Sequence, residues 1–131
     1  MSTLKVDTIQ NTSGGSSSTP EQIEQGRAKA WANIETSTTT STGDPKTING
    51  SFNISSCTDI SEGKHQITFT SAFADANYCV VATTGHNDIT NNANATVEVR
   101  EISTTGFKIA CEDVDGGGID RDKLYIAVFS A

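Results

Sequence analysis

The stretch with the most chemical potential is CEDVDGGGIDRD, residues 111–122, in which acidic residues flank three consecutive glycines. Hard cations such as calcium take several oxygen ligands from a sharply turning loop, and Asp113, Asp115 and Asp120 carry suitable side chains. The spacing departs from that of helical calcium loops, because Gly117 stands where an oxygen-bearing side chain is expected. We therefore expect a solvated turn between two strands and no cofactor, with a divalent-ion site at the three aspartates as the alternative.

The two histidines, His65 and His86, are the next candidates for chemistry. The chain contains no nucleophile elbow, no zinc-hydrolase motif, no phosphate-binding loop and no dinucleotide fingerprint. In a chain so rich in Ser and Asp, the mere presence of Ser, His and Asp carries no weight. We expect that the protein is not an enzyme, and a small glycan-active depolymerase is the enzymatic alternative.

His86 opens the longest polar loop of the strand-rich region, GHNDITNNANA. Loops rich in Asn, Asp and Thr on a rigid sheet are common places for recognition of a glycan or another surface. His86, Asn87, Asn91 and Asn92 are therefore candidates for a receptor-binding loop. The alternative is a polar loop that binds nothing.

Apolar residues on both faces of the last predicted strand, KLYIAVFS, point to a subunit interface. A strand that is apolar on both faces has to be covered twice, and a single sandwich offers only one inner layer. Trp31, the only tryptophan, lies among alanines in RAKAWANI, where it anchors a neighbouring segment or chain, with stacking on a sugar ring as the alternative. We predict an oligomer interface that contains Trp31, Tyr125 and Phe129.

Period-two alternation dominates residues 26–131 and predicts about seven short strands separated by polar turns. The predicted strands are RAKAWANI, SFNIS, KHQITFT, NYCVVATT, ATVEVREI, GFKIAC and KLYIAVFS. We expect an all-β fold, an antiparallel, jelly-roll-like β-sandwich with an extended N-terminal arm and one short helix. Three widely spaced cysteines fit neither a disulfide framework nor a zinc site, so Cys79 and Cys111 are expected to be buried free thiols.

Residues 1–25 are expected to form a unit separate from the sandwich domain, residues 26–131. Leu4, Val6 and Ile9 give the beginning of the chain a strand-like apolar stripe, and the Ser/Gly/Thr run NTSGGSSST follows it as a linker with little structure. A lone strand leaves its backbone groups unpaired. The stripe therefore predicts a docking arm that adds a strand to a sheet of a partner or a neighbouring subunit.

A short helix is predicted directly after the linker. Thr19 can cap its beginning, Pro20 suits the first helical position, and Gln22 completes a capping box with Thr19. Gly26 marks the expected end.

The formal net charge of −7 argues against a nucleic-acid partner. Binding to phosphates needs a basic patch, and the nine Lys and Arg residues are scattered singly along the chain. The sequence also has no apolar run long enough to span a membrane and no secretory signal, so we expect synthesis in the cytosol and no membrane partner.

Four blocks in order, MSTLKVDTIQNTSGG, GRAKAWANI, SFNISSCTDISEGKHQITFTSAFADANYCVVAT and LYIAVFS, resemble small fibre or tail-fibre-like virion proteins of tailed bacteriophages, particularly those of marine cyanobacteria. The resemblance implies a virion structural protein, a tail fibre or fibre-tip component, that forms a homotrimer and is assembled in the host cytoplasm. It implies further that the arm docks to a tail or adaptor component and that the β domain meets a glycan or protein of the host surface. A decoration or cement-type protein of the phage head is the alternative. The family offers no catalytic residues.

Overall fold

The structure, a computed structural model, describes residues 2–3, 5–10, 12–15, 17–37, 41–87 and 95–130. These residues contain ten strands and one helix. The elements are β1 (Ile9–Gln10), β2 (Ser17–Ser18), α1 (Pro20–Gly26), β3 (Ala30–Glu35), β4 (Thr47–Phe52), β5 (Ile54–Ser61), β6 (Lys64–Phe69), β7 (Cys79–Gly85), β8 (Thr96–Ser103), β9 (Gly106–Glu112) and β10 (Lys123–Phe129).

Eight of the strands form two four-stranded antiparallel sheets that pack as a sandwich. The first sheet has the order β4-β3-β10-β7 and the second has the order β5-β6-β9-β8. The predicted all-β antiparallel sandwich is confirmed, with more strands than the seven expected. Within these sheets β3–β4, β5–β6 and β8–β9 are sequence neighbours that pair with each other.

The predicted alternation of β3 and β10 places their apolar residues in the core. Ala30, Ala32 and Ile34 of β3 are buried together with Leu124, Ile126 and Val128 of β10. Because alanine side chains are small, the opposite sheet can approach β3 closely, which leaves few voids in the interior. At one end of the core an aromatic cluster is formed by Phe69, Phe73, Tyr78 and Phe107.

The predicted strand SFNIS is wrong, because it spans two strands that belong to different sheets. β4 ends at Phe52, β5 begins at Ile54, and Asn53 between them has a φ of 54°. Asn tolerates this left-handed conformation better than most residues, because its short polar side chain bonds locally. Here the Asn53 side chain bonds to a distant segment: Oδ1 accepts from the backbone N–H of Ser71 at 2.8 Å. The kink at Asn53 therefore accounts for the eighth strand of the sandwich.

The short helix is confirmed at the predicted position. Thr19 is its N-cap and shares a complete capping box with Gln22, since Thr19 N–H donates to Gln22 Oε1 at 2.9 Å and Gln22 N–H donates to Thr19 Oγ1 at 3.2 Å. The helix ends at Gly26, with Arg27 as its C-cap. It buries none of its own residues, so it depends on its caps more than on packing.

Thr19→Ala is expected to fray α1 and leave the sandwich intact. Loss of an N-cap costs about 0.5–2 kcal/mol of helix stability, and no buried contact of α1 compensates for it. Amide hydrogen exchange of residues 21–26 should accelerate, while exchange in β9 stays unchanged. The exposed Thr70, changed to Ala, is the control, and equal exchange in both variants would contradict the assigned cap.

The N-terminal arm forms a small hairpin of its own. Ile9 and Gln10 of β1 pair with Ser18 and Ser17 of β2. The expectation of a linker with little structure is therefore wrong for Ser17 and Ser18, because β1 pairs with these two residues of the linker. Of the arm candidates, Val6 and Ile9 are exposed and Leu4 lies outside the described residues.

Candidate interaction surface

An apolar row of side chains crosses the outer face of the first sheet. Trp31 of β3 lies opposite Phe52 of β4 and Ala127 of β10, and Ala127 lies opposite Val81 of β7. Directly opposite residues share one face of a sheet. Three of the four are large and remain exposed, with 56% of Phe52, 44% of Trp31 and 58% of Val81 accessible to solvent. We call these four residues the apolar row.

The neighbouring positions extend this face. Tyr125 lies opposite Thr83 one step along β10, and Phe129 lies opposite Cys79 one step in the other direction. The Tyr125 ring lies over Gly85, where an added Cβ would come within 3.0 Å of Cε2. Trp31, Tyr125 and Phe129, predicted at an interface, thus share one face, and the interface itself stays a prediction.

The two outer faces of the sandwich differ in charge. On the first sheet, the charged side chains of the described strands are Glu35 and Lys123, which pair with each other. On the second sheet the outward positions of β6, β8 and β9 are rich in charge: Lys64, Glu98, Arg100, Lys108 and Glu112. Interface centres are depleted in charged residues and enriched in aromatic ones. The outer face of the first sheet is therefore the candidate interaction surface.

The three cysteines are free, and their burial differs from the prediction at one position. Cys111 is buried as expected, and burial raises its pKa to about 11. Cys79 is exposed, so its predicted burial is wrong. The reason is the alternation of β7, in which Val80 and Ala82 pack against the core and leave Cys79 on the outer face.

A polar cluster at one end of the sandwich holds the first residues of the predicted receptor loop. His86 Nδ1 lies 3.0 Å from Asp122 Oδ2, and the Asn87 backbone N–H donates to the same oxygen at 2.6 Å. The Arg121 side chain completes the cluster, with Nη1 2.6 Å from His86 Nε2. The two other loop candidates, Asn91 and Asn92, lie outside the described residues.

This geometry favours a structural role for His86. In an Asp–His pair that acts as a base, Nε2 faces the nucleophile. Here Nε2 faces the guanidinium of Arg121. Sequence reasoning missed Arg121 and Asp122 as partners of His86, because they are separated from it by 35 and 36 positions and no motif connects them.

Protonation of Asp122 should be observable when the protein is titrated to acid pH. The Asn87 N–H, and after it His86, lowers the pKa of Asp122 below its ordinary 3.8. Because the pKa of Asp122 is lower in the folded protein than in the unfolded chain, its ionised carboxylate stabilises the folded state at pH values above the ordinary pKa. This stabilisation is lost as the pH falls through the lowered pKa. An NMR titration of the Asn87 amide should therefore show a midpoint below 3.8 that Asp122→Asn removes and the exposed-site control Asp115→Asn retains. A midpoint at or above 3.8 would contradict this assignment.

In the acidic loop, two of the three candidate carboxylates are engaged by backbone donors. Asp113 Oδ1 accepts from the N–H groups of Asp115 and Gly117, and Asp120 Oδ1 accepts from Gly63 at 2.8 Å. Gly118 packs on the turn before β6, where an added Cβ would lie 2.2 Å from the Glu62 carbonyl oxygen. Across the described ranges, no three His, Cys, Asp or Glu side chains are grouped closely enough to hold a metal ion. The loop that connects β9 and β10 therefore packs against the turn between β5 and β6.

We compared the chain with family models, curated proteins and solved structures. No family model, curated protein or solved structure matches it. In the part of the chain that the structure describes, no helix has the length and apolar character needed to cross a membrane. The function must therefore be inferred from the residues of the chain itself.

Proposed function

We propose that the protein is a structural subunit of a bacteriophage virion, a tail fibre or fibre-tip component, that associates with copies of itself through the outer face of the first sheet. The observation that carries the self-association is the apolar row, which crosses all four strands of that sheet and exposes large side chains on three of them. The virion context is supported by the sequence resemblance, which covers the arm, β3, the region from β4 to β7, and β10.

Electrostatics supports a second copy of the same chain as the occupant of this face. The chain carries a net charge of −7, so two copies repel each other over most surfaces. On the described strands of the first sheet, the outward charges of Glu35 and Lys123 cancel. Contact between copies through this face therefore brings no net like charge together, and cyclic symmetry, a homotrimer in the resembling proteins, covers every copy of the face.

The arm supplies a separate attachment in this proposal. Among the described strands β1 pairs with β2 alone, and Val6 and Ile9 remain exposed. A hairpin that leaves Ile9 exposed, next to the exposed Val6, is suited to add to a sheet of a tail or adaptor protein. The loop that begins at His86 and Asn87 is the proposed contact with a host-surface glycan or protein.

Deletion of residues 1–18 tests the attachment and the virion assignment together. The deletion retains the Thr19 cap and every strand of the sandwich, so the thermal unfolding midpoint should change little. Purified particles from a host that makes the full chain should contain it in the tail fraction, whereas the truncated chain should be absent. A variant in which Ser13 and Gly15 are both changed to Ala, with the arm otherwise intact, is the control.

Three outcomes count against the proposal in different ways. Recovery of the full chain with DNA-filled heads would favour a decoration protein over a tail component. Absence from all particles would reject the virion assignment. An unfolded deletion variant would show that the arm belongs to the core of its own domain.

A further inference from the structure

A fully buried ion pair lies at the end of the core opposite the aromatic cluster. Lys46 Nζ is 2.8 Å from Asp59 Oδ2, and their side chains are 0% and 4% exposed. The backbone fixes both residues: Lys46 N–H donates to the Cys57 carbonyl at 2.8 Å, and Asp59 N–H donates to the Asp44 carbonyl at 2.9 Å. The segment before β4 thus runs antiparallel to β5, with Pro45 bridged to Thr58, and holds the amine against the carboxyl group.

A third buried polar side chain faces this pair. His65 of β6 is the direct cross-strand partner of Asp59 and is 1% exposed. Its Nδ1 is buried and has no hydrogen-bond partner among the described residues. Burial, and after it the positive charge of Lys46, lowers the pKa of His65, so a neutral imidazole faces the pair. A buried nitrogen without a hydrogen-bond partner destabilises the folded protein. Its presence beside the ion pair therefore points to a role in the chemistry of the pair.

We propose that Lys46 and Asp59 condense to an intramolecular isopeptide bond and that His65 transfers a proton in the reaction. One proton passes from Lys46 Nζ to Asp59 Oδ2, which leaves an amine beside a carboxylic acid. Nζ then attacks Asp59 Cγ, the Cγ–Nζ bond forms, and the Cγ–Oδ2 bond breaks. His65 Nδ1 accepts a second proton from the nitrogen and passes it to the departing oxygen, which leaves as water. One hydrogen stays on the amide nitrogen, and no oxidant or further reactant is needed.

The surroundings favour the amide product. Two buried charges carry a desolvation penalty that an amide does not, so condensation removes an unfavourable term of the folded state. The backbone holds the two groups in contact, so no freedom remains to be lost on reaction. Exclusion of water from the pair also slows the reverse hydrolysis. The inference rests on these contacts and is independent of the proposed virion function.

Mass spectrometry of the purified full chain tests the bond directly. The intact mass should be lower than that of the sequence by one water molecule. Trypsin does not cleave after an acylated lysine, so residues 30–64 should appear as one peptide lacking one water, instead of two peptides, 30–46 and 47–64. A folded chain with its full mass, and the two separate peptides after prolonged incubation, would overturn the proposal.

Two variants separate the bond from its catalyst. Lys46→Arg keeps a positive charge opposite Asp59 and cannot form the lysine amide, so its mass should equal that of its sequence; a loss of water in this variant would overturn the assignment to Lys46. His65→Gln should form the bond at least tenfold more slowly while circular dichroism shows the same fold. Formation at an unchanged rate in His65→Gln would remove His65 from the mechanism. If Lys46→Arg does not fold, Asp59→Asn tests the other partner: condensation there should release ammonia in place of water, and a loss of water from this variant would overturn the assignment to Asp59.

Discussion

Trp31→Thr combined with Tyr125→Thr is expected to convert the associated protein into monomers. Both side chains lie on the outer face of the first sheet, and Trp31 belongs to the apolar row. Buried aromatic anchors at interfaces contribute about 2 kcal/mol or more each. A combined loss of about 4 kcal/mol weakens association roughly 1,000-fold. Threonine keeps a high strand preference and already occurs on this face at position 83, so the sandwich should stay folded.

Ile102→Thr is the matched control for this experiment. Ile102 is as exposed as Trp31, at 44%, but belongs to β8 of the second sheet. Its replacement should leave the association constant unchanged in sedimentation equilibrium. Equal weakening by Ile102→Thr, or no weakening by the double variant, would place the interface elsewhere.

Ile109→Ala is expected to cause the largest loss of folding stability among single apolar truncations in β9 that leave the aromatic cluster intact. Ile109 is 1% exposed and lies between His65 of β6 and Val99 of β8. Truncation of a buried isoleucine to alanine costs about 2–5 kcal/mol, because transfer energy is lost and a cavity remains. Since whole domains are stable by only about 5–15 kcal/mol, the denaturant midpoint should fall by a large fraction.

The control for this stability prediction uses the same chemical change on an exposed residue. Ile102→Ala removes the same atoms from a side chain that is 44% exposed. Its unfolding free energy should change by about 0.5 kcal/mol or less. A loss in Ile109→Ala no greater than that in Ile102→Ala would contradict the assignment of Ile109 to the core.

Features of this fold that depend on local chemistry could be predicted from the sequence. The capping box of Thr19 and Gln22 involves residues three positions apart, so the short helix was predictable at its observed place. The alternation of β3 and β10 likewise reports which side chains face inward, because successive side chains of a strand point to opposite faces. For this reason, Tyr125 and Phe129 could be assigned to one face before the sheet order was known.

Features that depend on contacts between distant residues could not be predicted. Asn53 interrupts an alternation that reads as one strand, and only the pairing of Phe52 with Trp31 and of Ile54 with Phe69 shows two sheets. The partners of His86 follow from the end of β7 meeting the beginning of β10. The buried pair of Lys46 and Asp59 is similarly invisible, because charged residues in a polar stretch normally face solvent.

The mass of the native chain in solution tests the central claim most directly, namely that the outer face of the first sheet joins copies of this protein. Size-exclusion chromatography with light scattering should give three times the 13.8 kDa chain mass at micromolar concentration. The double variant at Trp31 and Tyr125 should give the single chain mass under the same conditions. A folded native protein that stays at 13.8 kDa over the whole accessible concentration range would contradict the account.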